Sequence, residues 1–207
     1  MERQVMENST LTRKEREKIR HKGEILNTAM DLFSEKGFHN VSMQDIAARS
    51  EYAVGTLYNF FQSKEQLFDE LRNDCADKIL QILCPILESE KPEKEKIQSF
   101  IMHHLDLAEQ NLKFIKLYVA EYGTLTVSEE AHANKVKKVL KEKIFGVLNS
   151  GIKAKIFKPV DIEIYILSLF ASLQSFIMES SKNYDQAKVK SGLEKIEKLF
   201  LGMLVNE

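Results

Sequence analysis

Residues 54–68 read VGTLYNFFQSKEQLF, a stretch in which four aromatic rings crowd around Gly55, Thr56 and Asn59. Advancing about 100° per residue along a helix over 54–62 puts Val54, Leu57 and Phe61 on one face and Gly55, Thr56, Asn59 and Gln62 toward the other. Tyr58 and Phe60 flank the boundary. A helix that only filled a core accounts for the first face and leaves the second without a purpose. The second face is small, uncharged and able to donate and accept hydrogen bonds, and no carboxylate lies between Ala53 and Lys64 to repel phosphate. Gly55 costs a helix about 1 kcal/mol relative to Ala, which makes sense where backbone must approach another surface closely. Asn pairs bidentately with adenine, and a Thr methyl packs on a thymine methyl.

The flanking sequence frames this stretch. The spacing predicts a first helix from about Arg13 to Glu35, with Ile25, Leu26, Ala29, Leu32 and Phe33 on one stripe and Gly37 ending it. A second helix opens at Val41-Ser42-Met43-Gln44-Asp45-Ile46, where Ser42 can cap, Asp45 can reciprocate and Val41 can staple onto Ile46. It ends near Arg49, about four residues before Val54. Two short helices across a tight turn, braced by a longer one, have the outline of a helix-turn-helix. Ser63 starts a fourth helix, with Gln66 at the reciprocal capping position and Lys64 in the first turn.

Residues 24–68 closely resemble the DNA-binding domain of TetR-type (TetR/AcrR-like) transcriptional regulators. The resemblance is carried by Ala29-Met30-Asp31-Leu32-Phe33, Gly37-Phe38, Ser42-Met43-Gln44-Asp45-Ile46-Ala47, Gly55-Thr56-Leu57-Tyr58, Phe61 and Ser63-Lys64-Glu65, and covers roughly a quarter of the chain. It implies that the helix from Ser42 touches the DNA backbone, bringing Ser42 and Gln44 to the DNA. It also implies that Gly55, Thr56, Tyr58 and Asn59 face the major groove, and that Tyr58 and Lys64 hold phosphates. Lys64 fits on physical grounds as well, because its ammonium adds to the positive end of a helix. The plainer alternatives are ordinary packing for Tyr58 against the fourth helix, and a solvated face for Thr56 and Asn59. Two positions depart from the family pattern: where the turn usually carries Gly and, two residues on, a capping Ser, this chain has Glu51 and Ala53. A left-handed Glu51 costs on the order of 1 to 2 kcal/mol and a missing cap hydroxyl about 1. Phe60 replaces the Tyr or His often found in the family, so one phosphate contact is expected to be missing.

The bulk numbers are compatible with this and exclude other classes. At 207 residues, 43% of them hydrophobic, the chain can fill a core, and a net charge of −1 makes any nucleic-acid claim depend on local asymmetry. Residues 13–22, RKEREKIRHK, supply one: six Lys/Arg against two Glu. No signal peptide is read at MERQVMENST, so a cytoplasmic location is expected. Cys75 and Cys84 lack disulfide or zinc spacing and read as small apolar residues. No nucleophile elbow, phosphate loop or HExxH-type motif suggests an enzyme, and neither a catalytic residue nor a cofactor is expected. His103 and His104 point about 100° apart on a helix and cannot readily share a metal ion.

The expected fold is all-α: a flexible arm (1–12), a three-helix helix-turn-helix DNA-binding domain (13–66), and a larger helical ligand-binding and dimerisation domain (67–207). In the latter a helix to about Leu83 breaks near Pro85, followed by helices near 95–110, 112–123, 129–150, 160–181 and 188–205. The segment LKFIKLYVAEY is apolar nearly all round and so expected to be central. Ile164–Met178, the longest uncharged stretch, falls short of the roughly 20 apolar residues that span a bilayer, and reads as a buried or interface helix with no membrane partner. By resemblance this domain takes a small lipophilic effector and pairs two copies through its last two long helices, for which DIEIYILSLFASLQSFIM has more apolar surface than one subunit covers. Phe100, His104, Leu107, Tyr118, Tyr122, Phe145, Phe170 and Gln174 are candidate lining of an effector pocket, though aromatics at helical spacing are more often core. The functional expectation is a DNA-binding regulator, a repressor released from a palindromic operator by its effector. The alternatives are an activator, an enzyme or a helical scaffold of the same fold.

Overall fold

The computed structural model describes residues 12–122 and 131–205, and among these the secondary structure is entirely helical. The chain forms two compact units, the first ending at Arg72 and the second beginning at Asn73. Residues 1–11 of the expected arm lie outside the described residues, whereas Thr12 caps the first helix.

In the first unit, α1 (Arg13–Lys36) starts at a capping box in which Thr12 accepts from the Glu15 amide and the Glu15 carboxylate accepts from the Thr12 amide. It stops at Gly37, whose φ of 80° and ψ of 152° suit a residue without Cβ. A 3₁₀ turn (Phe38–Asn40) leads to α2 (Met43–Ser50), α3 (Val54–Tyr58) and α4 (Lys64–Glu88). Ile25, Ala29, Leu32 and Phe33 of α1 are buried as expected, with Leu26 half-buried at the edge of the stripe. They meet Val41, Ile46, Leu57, Phe61, Leu67 and Phe68, all at most 2% exposed. Phe33, Phe38 and Phe68 form an aromatic cluster with ring centroids 5.1 to 6.3 Å apart.

The second unit contains α5 (Glu93–Met102), α6 (His104–Gln110), α7 (Leu112–Tyr122), α8 (Ala131–Lys153), α9 (Ile162–Lys182) and α10 (Gln186–Leu204). α10 packs on α5, α6 and α9, while α9 also packs on α7 and α8. Their shared core includes Leu83, Leu87, Ile97, Phe100, Ile144, Leu148, Leu169, Leu193 and Leu204.

Three expectations are corrected here. α4 does not break near Pro85 but carries it to Glu88. Proline in a helix interior costs about 3 kcal/mol, but Leu83 and Leu87 on either side are buried in the core and hold the helical path. The single helix expected over 95–110 is two, divided at His103. There the Nδ1 atoms of His103 and His104 donate to the carbonyls of Ser99 at 2.7 Å and Phe100 at 2.8 Å, so side chains compete with the backbone for helical acceptors. α7 is not central: Leu117 is buried, but Leu112, Phe114, Ile115, Tyr118 and Val119 are half-buried, because the helix lies at the edge of the unit against α9.

α9 buries Tyr165, Ile166, Leu169 and Leu173 and leaves Ile164 and Leu167 more than half exposed. At 21 residues and a mean hydropathy of 1.4 it is long and apolar enough to cross a membrane, more so than its uncharged stretch suggested. Here it is packed into a folded unit, with the Tyr165 hydroxyl donating to the Phe200 carbonyl at 3.2 Å. α10 divides in the same way, burying Leu193 and Phe200 while Leu199 and Met203 face outward.

The end of α8 gives a test of this packing. Lys155 turns left-handed at φ 58°, the amides of Ile156 and Phe157 both bond the Gly151 carbonyl, and the Phe157 ring folds over Gly151. A Cβ there would lie 2.2 Å from Phe157 Cδ2 and 2.9 Å from Cγ. Gly151→Ala is therefore expected to destabilise the fold by about 1–3 kcal/mol, and adding Phe157→Leu to return part of the loss, both measured by urea denaturation.

Candidate nucleic-acid interface

The burial pattern of α3 matches the two faces read from the sequence. Leu57 and Phe61 are fully buried and Val54 half-buried, while Gly55, Asn59 and Gln62 are exposed and Thr56 half-buried. Tyr58 is 48% exposed, which favours an outward role over packing against α4. The helix is shorter than the 54–62 expected. Its path nonetheless continues: the Asn59 amide bonds the Gly55 carbonyl at 3.2 Å, and the Phe60 and Phe61 amides bond that of Leu57 at 2.9 Å. Asn59 keeps a helical backbone at φ −72°, so it stays on the outward face. Phe60 is half-buried beside Phe61, ring centroids 6.2 Å apart. The ammonium of Lys22 bonds Glu70 at 2.8 Å and lies 5.8 Å from the Phe61 ring centroid, bracing the buried side. Beyond the adjacent residues and the backbone of α3 itself, no atom of the described residues lies within 4 Å of where a Gly55 Cβ would sit, so their packing does not demand glycine.

The turn before α3 takes the strained form that its residues imply. Glu51 is left-handed at φ 60° and ψ 28°, and Ala53 caps α3 with no side-chain hydrogen bond. The Tyr52 amide bonds the Ala47 carbonyl at 3.1 Å and Ser50 Oγ bonds that of Ile46 at 2.7 Å. The Tyr52 hydroxyl reaches α1, donating to Glu24. Nothing in the sequence singles out Tyr52, because its partner is 28 residues away.

Ser42 and Gln44 are exposed at the start of α2. Ser42 Oγ accepts from the Asp45 amide at 3.1 Å and donates to Asp45 Oδ2, which also accepts from the Ser42 amide at 2.8 Å. The Ser42 hydroxyl first and its amide second hold the Asp45 carboxyl below its ordinary range. At α4, Ser63 Oγ accepts from the Gln66 amide, while the Gln66 side chain accepts from the Gln62 amide rather than that of Ser63. Lys64 Nζ donates to the Phe38 carbonyl at 2.8 Å and lies 4.4 Å from the Phe38 ring centroid. An ammonium has three donors, so this bond places Lys64 without exhausting it. Arg49 differs: its guanidinium is held by both carboxylate oxygens of Glu35 at 2.7 Å, which leaves less of it to offer a phosphate.

Of the candidate effector residues, Phe100, His104 and Phe170 come together, with the Phe100 ring 5.1 Å from His104 and 6.0 Å from Phe170. Burial pushes the His104 imidazole down to about 4, so it is neutral at pH 7. Leu107 is buried, and Tyr118 and Gln174 are half-buried, the latter 3.9 Å from Met178 Sδ. Phe145 is corrected: Ile144, Val147 and Leu148 take the core side of α8, leaving Phe145 41% exposed on the outer face. The Tyr122 side chain lies outside the described residues. A cavity of about 250 Å³ beside α5 and α8 is lined by Glu93, Lys96, Glu142 and Lys143 among others, and by none of the expected residues.

Comparison with known proteins points the same way. Residues 25–71 match the bacterial regulatory proteins of the tetR family. The chain is 29% identical over 155 residues to the HTH-type transcriptional regulator YhgD of Bacillus subtilis, covering 74% of this chain and 78% of that protein. It is 27% identical over 150 residues to the HTH-type transcriptional repressor KstR2 of Mycobacterium tuberculosis, covering 72% and 74%. The fold is similar to that of the transcriptional regulator FadR from Bacillus subtilis in complex with stearoyl-CoA, with a TM-score of 0.71, 18% identity, and coverage of 88% and 98%.

Two measurements follow from this geometry. Gly55→Ala fits the chain and raises helix propensity by about 1 kcal/mol, so thermal stability is expected to hold or rise while DNA binding falls; a variant that binds DNA as well as the parent removes the close-approach argument. A depressed carboxyl stabilises the fold above its ordinary pKa and loses that effect as the pH falls through the lowered value. Ser42→Ala is accordingly expected to move the Asp45 titration back up, as side-chain NMR would record.

Proposed function

Because the chain belongs to the TetR-type transcriptional regulators, we propose that it is a repressor that binds a palindromic operator as a homodimer and is released by a small lipophilic effector. The observation that carries the DNA reading is the exposed, uncharged face of α3, held outward by the burial of Leu57 and Phe61. Asn59 and Thr56 read base edges, and Gly55 lets the backbone close on the groove. Tyr58, Lys64, Ser42 and Gln44 hold the phosphates on either side, fixing register without reading sequence. The same reading places the protein in the cytoplasm with its DNA.

Dimerisation is supported by Ile164 and Leu167 on α9 and by Leu199 and Met203 on α10, each 45% to 59% exposed. Four large apolar side chains left in water on the last two helices fit a helix pair that packs against its copy. Two reading helices would then enter successive major grooves about 34 Å apart. A repressor reading is supported by the relative KstR2, and a lipophilic effector by the similar FadR in its stearoyl-CoA complex. Phe100, Phe170 and the neutral His104 suit such a ligand: apolar walls and one polar group. The effector acts by favouring a conformation of lower operator affinity, and linkage requires the operator to weaken effector binding by the same factor.

Selection from random DNA is expected to yield a palindrome; an unenriched pool would sink the proposal. On that operator Asn59→Ala is expected to relax preference at one base pair per half-site by about 1–3 kcal/mol. Lys64→Gln is expected to weaken all sequences alike and to reduce the salt slope by about 1. Equal losses on every sequence for both variants would contradict these roles. Leu167→Glu is expected to give monomers by light scattering and to lose operator binding while each chain stays folded.

A further inference from the structure

The turn between α2 and α3 is built from residues that do not suit it, yet it sets the direction of the reading face. Glu51 holds a left-handed backbone in which a Cβ crowds the following carbonyl. Ala53 opens α3 with no side-chain bond. Ser50 Oγ bonds back onto α2, at the carbonyls of Ile46 and Ala47. Among the described residues, the side chain that leaves the turn for another helix is that of Tyr52, which lies between the two unsuited residues and is half-buried.

Its hydroxyl donates to Glu24 Oε2 at 2.5 Å, and its ring tilts against the His21 imidazole with centroids 5.2 Å apart. Arg20 closes the group: Nη1 donates to Glu24 Oε1 at 2.7 Å and Nη2 lies 3.0 Å from His21 Nε2. Arginine only donates, so His21 accepts there. Arg20, His21 and Glu24 all belong to α1, and Tyr52 alone comes from the turn. The tether thus joins the strained backbone to the longest helix of the same unit that ends within it. A hydroxyl bonded to a carboxylate is charge-assisted and stronger than a neutral pair. Glu24 is kept ionised for that role, since the Tyr52 hydroxyl, followed by Arg20, holds its carboxyl below the usual range.

We propose that Tyr52 is a positioning residue for DNA reading: its hydroxyl, anchored on the Glu24 carboxylate, holds Glu51 in the left-handed turn and so fixes the pose of α3. This rests on the DNA-binding reading above. Without the tether, Glu51 is free to relax toward the right-handed or extended backbone that a side chain prefers, and the α3 face turns away from its groove. Glycine at position 51 has no such preference, so it removes the need for the tether.

The test is a double-mutant cycle of Tyr52→Phe and Glu51→Gly in the full-length chain, read by amide hydrogen exchange without DNA and by titration on the selected operator. Tyr52→Phe is expected to speed exchange of the Tyr52 and Thr56 amides about fivefold and to weaken operator binding by a similar factor. The salt slope should not change, because no phosphate contact is removed. Adding Glu51→Gly is expected to restore both readings, and to do much less in the parent chain, where the tether already holds the turn. Operator binding by the parent with unchanged exchange in Tyr52→Phe, or a loss that Glu51→Gly does not repair, overturns the tether alone. A parent chain that binds no selected DNA overturns the DNA reading and this role with it.

Discussion

A helix of five residues has no stability of its own, since forming its first turn fixes several residues for very few hydrogen bonds. Everything proposed for α3 therefore depends on its anchorage by Leu57 and Phe61, both fully buried. These two side chains and the half-buried Val54 occupy one side of the helical path, and the geometry of 3.6 residues per turn then obliges Gly55 and Asn59 to face water. The aromatic cluster of Phe33, Phe38 and Phe68 extends the same core under the first turn of α4. Lys64 is placed by that cluster too, through the carbonyl and the ring of Phe38. Hydrophobic burial, which has no directional preference itself, orients the polar groups here.

The charges of the first unit are sorted by what already engages them. Arg49 is taken by Glu35, Lys22 by Glu70 and Arg20 by Glu24, all within the protein. Asp45, the carboxylate nearest the start of α2, is turned inward onto the Ser42 backbone and hydroxyl. A surface that is to meet phosphate must keep its negative charges occupied as well as present positive ones, and the capping box does the first of these without any cation.

Much of the first unit was legible in the sequence because its signals are local. The Ser42–Asp45 capping box, the stripe of α1 and the two faces of residues 54–62 involve residues within a turn or two of each other. The strain at Glu51 and the bare cap at Ala53 were legible for the same reason. The Tyr52–Glu24 bond was not, because it depends on how α1 and the turn are brought together. In the second unit, local rules misled. Pro85 reads as a helix breaker until the burial of Leu83 and Leu87 is known, and His103 reads as mid-helix until its imidazole takes the Ser99 carbonyl. Phe145 and the segment LKFIKLYVAEY show that apolar composition says a side chain favours burial, not which neighbours are there to bury it.

The outward apolar stripe of α9 and α10 carries a consequence for abundance. If a second chain covers Ile164, Leu167, Leu199 and Met203, the paired form is favoured by mass action, and both its resistance to heat and its hold on DNA rise with the number of molecules per cell. At low copy number the operator would be vacated steeply, roughly as the square of concentration, with no effector present. A regulator built this way senses its own supply.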